Sequence, residues 1–125
     1  ISKVADALND GRKSINGSKI LILGLAYKAN VDDCRESPTF VLMEKLESKG
    51  AVVEYNDIFL PVIPSTREHA HFTGKKSVEI EDAFDLILVS TNHDEYKSFD
   101  FSGYSCPLVD SRNCISKKPQ KYYNA

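Results

Sequence analysis

No apolar stretch in this chain is long enough to cross a membrane: the longest, Ile20 to Tyr27, falls far short of the ~20 residues a spanning helix needs. Nothing near the start reads as a signal peptide either. No sign of charge dominates, since 16 basic residues against 18 acidic ones leave a net charge of −2. That balance argues against a general polyanion binder and so against nucleic acid as a partner. Cysteine is sparse, and Cys34, Cys106 and Cys114 are odd in number, widely spaced and without a CxxC pair. A disulfide framework is therefore not expected, and a reducing compartment fits. These absences together point to a cytoplasmic protein with no membrane partner. Internal repeats are lacking as well.

What is present suffices for one domain with its own core. The 125 residues are 42% hydrophobic and 27% charged, a composition of globular rather than disordered chains. A chain of this size buries roughly two thirds of its unfolded surface. Because it opens on Ile1 instead of methionine, it is expected to be a piece of something longer.

Apolar residues at Ile1, Val4, Ala5 and Leu8 predict an amphipathic helix stopped by Asn9-Asp10-Gly11. Lys19 to Leu25 is a near-continuous apolar run, as in a strand covered on both faces of a parallel sheet. Ser37-Pro38 offers an N-cap hydroxyl followed by proline at the first helical position. The helix that follows should bury Thr39, Leu42, Met43 and Leu46 and stop near Gly50. Val52 to Asn56 reads as a second strand, completing a βαβ unit. Residues 58–77 form a long excursion without a sustained period, of the kind that often carries function. A short helix over Val78 to Phe84, a strand over Asp85 to Thr91 and a last short strand over Pro107 to Asp110 are expected next. The tail around Lys117 to Lys121 has little to bury and reads as mobile.

In parallel sheets ligands gather beyond the carboxyl ends of the strands. After the first strand the chain reads GLAYKANVDDCRESP, residues 24–38. Lys28 supplies a point charge suited to phosphate, and Arg35 stands just before a helix whose free N–H groups favour anions. The segment is either a phosphate cradle or a strand-to-helix loop with solvated charges. It is neither GxGxxG nor GxxxxGK[ST], so no standard dinucleotide fingerprint or P-loop is present. Asp57, at the end of the second strand, mimics a ribose-binding acid, but a turn-capping role is favoured. After the last predicted strand Arg112 offers a second anion contact, the alternative being a structural ion pair with Asp110 or another acid. His69, His71 and His93 lack the spacing of a metal site, so no metal is expected. The cysteines read as small buried hydrophobes rather than nucleophiles.

The block GLAYKANVDDCRESP, with YND at Tyr55 to Asp57 and VDSRN at Val109 to Asn113, resembles the C-terminal UDP-binding domain of the UDP-glucose/GDP-mannose dehydrogenase family. These enzymes oxidise UDP-sugars to uronic acids. PVIPSTREHAHFTGKKSVE, Pro61 to Glu79, is similar to the subgroup acting on UDP-N-acetylglucosamine, whose product feeds bacterial surface-polysaccharide synthesis. The resemblance implies a Rossmann-like three-layer α/β sandwich with a mainly parallel sheet. It implies that residues 1–12 end a central dimerisation helix, that 13–116 form the UDP-sugar domain and that 117–125 are a polar tail. The N-terminal NAD domain and the catalytic cysteine would lie upstream, so no catalytic residue is assigned here and the isolated piece is expected to be inactive. A homodimer is implied for the full-length enzyme. In the family reaction two NAD molecules take two hydrides, with cysteine capture of the intermediate aldehyde between them. By motif match, Tyr27 lies near the nucleotide, Lys28 near the diphosphate with Arg112 beside it, and Arg35 reaches toward NAD. Asp32 and Asp33 would organise the loop. The competing readings are a non-catalytic regulatory or interaction module of the same fold, and a self-sufficient nicotinamide-binding domain that the missing glycine turn disfavours.

Overall fold

The structure, a computed structural model, describes every residue except Ile1, Glu36, Arg67 and Ala125. The expected helical start at Ile1 and the Glu36 and Arg67 of the quoted motifs lie outside the described residues. Five strands, β1 (Lys19–Leu23), β2 (Val52–Asn56), β3 (Leu86–Val89), β4 (Leu108–Asp110) and β5 (Tyr122–Asn124), form one sheet. The order is β2-β1-β3-β4-β5 and every pairing is parallel.

Alternation along the central strands divides the core into two layers. Ile20 and Ile22 of β1 and Leu86 and Leu88 of β3 join Val4 and Leu8 of α1 (Ser2–Asp10) with Phe40, Met43 and Leu46 of α2 (Pro38–Ser48). Leu21, Leu23, Ile87 and Val89 face the other way, onto Tyr96 of α3 (Asp94–Ser98), Phe101 and Ile115. Both β1 and β3 are covered on both faces, which is why their sequences are apolar throughout rather than alternating. The fold is therefore the expected three-layer α/β arrangement, with a sheet that is wholly parallel.

The start of α2 follows from its sequence. The Ser37 Oγ accepts a hydrogen bond from the Thr39 N–H at 3.3 Å, and Pro38 occupies the first turn. Past its end Gly50 sits at φ +93°, where a Cβ would also run into the Asn16 side chain. In α1 the buried residues are Val4, Ala7 and Leu8, each 1% exposed, whereas Ala5 of the expected stripe is half-buried and Ile1 lies outside the described residues.

Two expectations need correction, the helix at Val78 to Phe84 and the mobile tail, while the long excursion is found as a loop. Val78 to Phe84 is not helical. The Val78 N–H donates to the Tyr55 carbonyl and its own carbonyl accepts from Asn56 Nδ2, while Val78, Ile80 and Phe84 pack as part of a loop on the second core layer. The tail is ordered: Pro119 is buried and β5 adds a fifth strand against β4. The excursion over 58–77 is tied down through a 3-10 turn at Ala70–Phe72, an antiparallel bridge between Val62 and Lys76, and the buried Phe72. The Tyr55 hydroxyl reaches its Leu60 and Lys75 carbonyls at 2.8 and 3.1 Å.

Candidate functional site

In a sheet of order 2-1-3-4-5 the chain reverses its direction of winding between β1 and β3, and the loops leaving those two strands diverge to open a crevice. Here those loops are residues 24–37, after β1, and Ser90 to His93, after β3. Gly24 makes the first turn at φ +93°, packed so closely on Thr91 that a Cβ would collide with its side chain and with its backbone N. The loop is then closed by the Tyr27 N–H donating to the Asp33 carbonyl at 2.7 Å. Tyr27 is 52% exposed and Lys28 is exposed beside it.

Arg112 leaves the same edge two residues after β4. β3 lies between β1 and β4, so the roots of the two loops are two strand spacings apart, about 10 Å. The Ser111 hydroxyl donates to the Val89 carbonyl, locking the β4 loop onto the tip of β3. The expected alternative for Arg112, an ion pair with Asp110, is not formed. The Asp110 carboxylate accepts instead from the backbone N–H groups of Arg112, Cys114 and Ile115 and from the Tyr122 hydroxyl. Neither Lys28 nor Arg112 has an ion-pair partner among the described residues. Two cations without a carboxylate partner among the described residues, at one sheet edge, offer donors to an anionic ligand.

Arg35 is differently placed. Its guanidinium grips Asp33 through two contacts, 3.1 and 3.0 Å, and its backbone N–H donates to the same carboxylate. That grip holds the Asp33 carboxyl down to about 2. Asp33 thus organises the loop as expected, whereas Asp32 is an exposed side chain.

Sequence reasoning did not find the buried pair beneath the loop. Asp57 and His93 are both 0% exposed, with His93 Nε2 2.9 Å from Asp57 Oδ2. The same oxygen accepts the Leu25 and Ala26 N–H groups at 2.8 and 3.1 Å, and Oδ1 accepts the Phe59 N–H at 2.9 Å. Asp57 does cap a turn, but its carboxylate is occupied on both oxygens and closed to solvent. A ribose-binding role is therefore excluded. Burial pushes its carboxyl up, and the hydrogen bonds from His93, Leu25 and Phe59 outweigh that and leave it below the usual range.

A carboxyl that is more acidic folded than unfolded adds stability that is complete above the unfolded value, about 4, and is lost as pH falls through the folded one. Asp33, Asp82, Asp85, Asp94 and Asp100 shift in the same direction, while burial raises Glu95 in the opposite sense. Acid unfolding, followed by circular dichroism, is expected to set in below about pH 4. A melting temperature that rises between pH 5 and pH 3 would contradict this balance.

The remaining candidates are structural. Burial raises the Cys34 thiol, lifts Cys106 to about 12 and Cys114 to about 11, so none is a thiolate at neutral pH. His69 and His71 flank Glu44, with nitrogen to oxygen distances of 2.8 and 3.8 Å, and His69 stacks on Phe40. His93 belongs to the separate pair with Asp57. Among the described residues no three His, Cys, Asp or Glu side chains are grouped to hold a metal ion. A hollow of about 350 Å³ lies at the opposite, amino edge of the sheet, lined by Leu8, Lys13, Phe84, Cys106 and Tyr123 among others. Its Lys13 pairs with Asp85 at 2.7 Å, and Asp10 and Lys121 also line it.

Residues 21–117 match the UDP-glucose/GDP-mannose dehydrogenase family, UDP binding domain. The chain belongs to this family. Among relatives of known name, a UDP-N-acetyl-D-mannosamine dehydrogenase of Methanocaldococcus jannaschii is 37% identical over 103 residues, covering 82% of this chain and 21% of the relative. A UDP-glucose 6-dehydrogenase of Rhizobium meliloti is 31% identical over 135 residues, covering 89% of this chain and 30% of the relative. The chain thus spans less than a third of the length of these relatives. In fold it is similar to a UDP-D-ManNAc dehydrogenase from Pyrococcus horikoshii, with TM-score 0.77 at 22% identity, covering 98% of this chain and 29% of that one. The family's UDP-binding domain is thus an all-parallel α/β unit here. Among the described residues no helix is long and apolar enough to cross a membrane.

Proposed function

We propose that this chain is the UDP-holding part of an NAD-dependent UDP-sugar 6-dehydrogenase that carries a UDP-sugar to its uronic acid in two hydride transfers. One observation carries the reading. Lys28 and Arg112, both without a carboxylate partner among the described residues, leave the carboxyl edge of the sheet on either side of the β3 tip. In this proposal Lys28 and Arg112 bind the diphosphate by charge-assisted hydrogen bonds, and the exposed Tyr27 packs on the nucleotide. Binding energy from the nucleotide, remote from the reacting carbon, then holds the sugar where oxidation occurs.

The residues of this chain do not fit NAD as its main holder. The turn after β1 lacks the glycines that let a backbone approach a dinucleotide pyrophosphate, and the acid at the end of β2 is sealed by His93. NAD is assigned to an N-terminal domain of the same polypeptide, with Arg35 its one contact from this side. Residues 1–12 then end an upstream helix, the UDP-sugar unit expected over 13–116 extends through β5 at Tyr122–Asn124, and the full-length enzyme is a cytoplasmic homodimer. Arg35→Ala is expected to lower turnover more than it weakens UDP binding. The reverse pattern in steady-state kinetics would move Arg35 to the uridine side.

Resemblance over Pro61 to Glu79 supports UDP-N-acetylglucosamine as the sugar substrate. The test is an assay of the full-length enzyme against UDP-N-acetylglucosamine, UDP-N-acetylmannosamine and UDP-glucose, following NADH. Two NADH per sugar, with UDP-N-acetylglucosamine the best substrate, is the expected result. Preference for another sugar would overturn the choice of sugar, and one NADH per sugar would overturn the double oxidation.

A further inference from the structure

The six residues Leu25 to Asn30 present Tyr27 and Lys28, and their two ends are held by the same buried pair. At the first end Asp57 Oδ2 accepts the Leu25 and Ala26 N–H groups, and the Thr91 hydroxyl donates to the Ala26 carbonyl at 2.9 Å. At the far end the Asn30 N–H donates to His93 Nδ1 at 2.7 Å. Asn30 itself is at φ +60°, and its Oδ1 accepts the Asp94 N–H at 2.9 Å.

These bonds assign the tautomer. A backbone N–H only donates, so Nδ1 carries no proton, and the ring proton sits on Nε2 and points at Asp57. The imidazole is fully buried, with the Phe59 and Tyr96 ring centroids 4.9 and 5.6 Å away. It donates on one side and accepts on the other across one ring width. In this way it couples the acid at the end of β2 to the loop after β1.

We propose that His93 is a positioning residue for UDP binding. Its neutral ring pins Asn30 against the Asp57 anchor, so that the loop is set before the ligand arrives. A loop already fixed at both ends loses less conformational freedom on binding, and the saving appears as affinity. This rests on the reading that Lys28 meets the diphosphate.

Two isosteric changes separate the functions of the ring in the full-length enzyme. His93→Gln keeps a donor for Asp57 but removes the acceptor for the Asn30 N–H. His93→Asn keeps an acceptor near the Nδ1 position. The glutamine variant should raise the UDP dissociation constant about tenfold with kcat at saturating substrate little changed, and the asparagine variant should recover part of that loss. In a Lys28→Ala background the glutamine change should cost less than it does in the wild type, because only Tyr27 is left to position. Equal UDP affinity for His93→Gln and wild type, or losses that multiply in the double variant, would overturn the proposal. Should Lys28→Ala alone leave UDP affinity intact, the functional reading itself fails; a loss with Lys28→Ala but none with His93→Gln sinks only the role of His93. Independently of any variant, the nitrogen NMR spectrum of the unsubstituted His93 ring should show protonated Nε2 and bare Nδ1. A proton on Nδ1 would also overturn it.

Discussion

Asp57→Ala is expected to destabilise the folded chain by about 3 to 5 kcal/mol, the range for removing one partner from a buried charged network. The carboxylate satisfies the N–H groups of Leu25, Ala26 and Phe59 as well as His93, and alanine takes the acceptor from all four, three of them buried. The effect should read as a fall in melting temperature of roughly 10 to 20 °C. Asp32→Ala, at an exposed position of the neighbouring loop, is the control and should stay within about 0.5 kcal/mol. Urea unfolding of both variants checks the contrast. Similar midpoints for the two would mean that the pair beneath the loop does not hold the edge of the sheet together.

Lys28→Ala carries the largest expected effect on binding. A charge-assisted contact is worth about 1.5 to 3 kcal/mol, so UDP affinity of the full-length enzyme should fall by roughly 10- to 150-fold. Stability should hardly change, because Lys28 is exposed and makes no ion pair among the described residues. Calorimetry of UDP binding beside a thermal melt separates the two quantities. An unchanged dissociation constant would remove Lys28 from the site, and lost affinity together with a lost melt would turn the result into one about folding. The loss should also shrink as salt is added, since the contact is exposed and therefore screened.

How much of this was legible beforehand depended on how local the cause was. β1, β2 and the start of α2 were readable because Lys19 to Leu23, Val52 to Asn56 and Ser37-Pro38 carry their signals within a few residues. β5 was hidden because three residues, Tyr122 to Asn124, follow a polar, lysine-rich stretch and are ordered only by pairing with β4. The five residues of α3 are too few to show a helical period. At Val78 to Phe84 a helix was expected where the chain is a loop, with the backbone groups of Val78 bonded to β2 instead of within a helical turn. The loop cations were legible from their position after strands. The Asp57–His93 pair was not: its members are 36 residues apart, and only the strand order brings the ends of β2 and β3 to the two sides of β1. A lone histidine after an apolar strand carried no sign of that partner.

The account stands on two cations from different loops closing on one diphosphate. A crystal structure of the full-length enzyme with UDP tests it most directly. The predicted result is the diphosphate seated across the tip of β3, with Lys28 Nζ and the Arg112 guanidinium both within about 3.2 Å of its oxygens. A diphosphate held at the amino edge beside Lys13, or one that touches neither Lys28 nor Arg112, would contradict it.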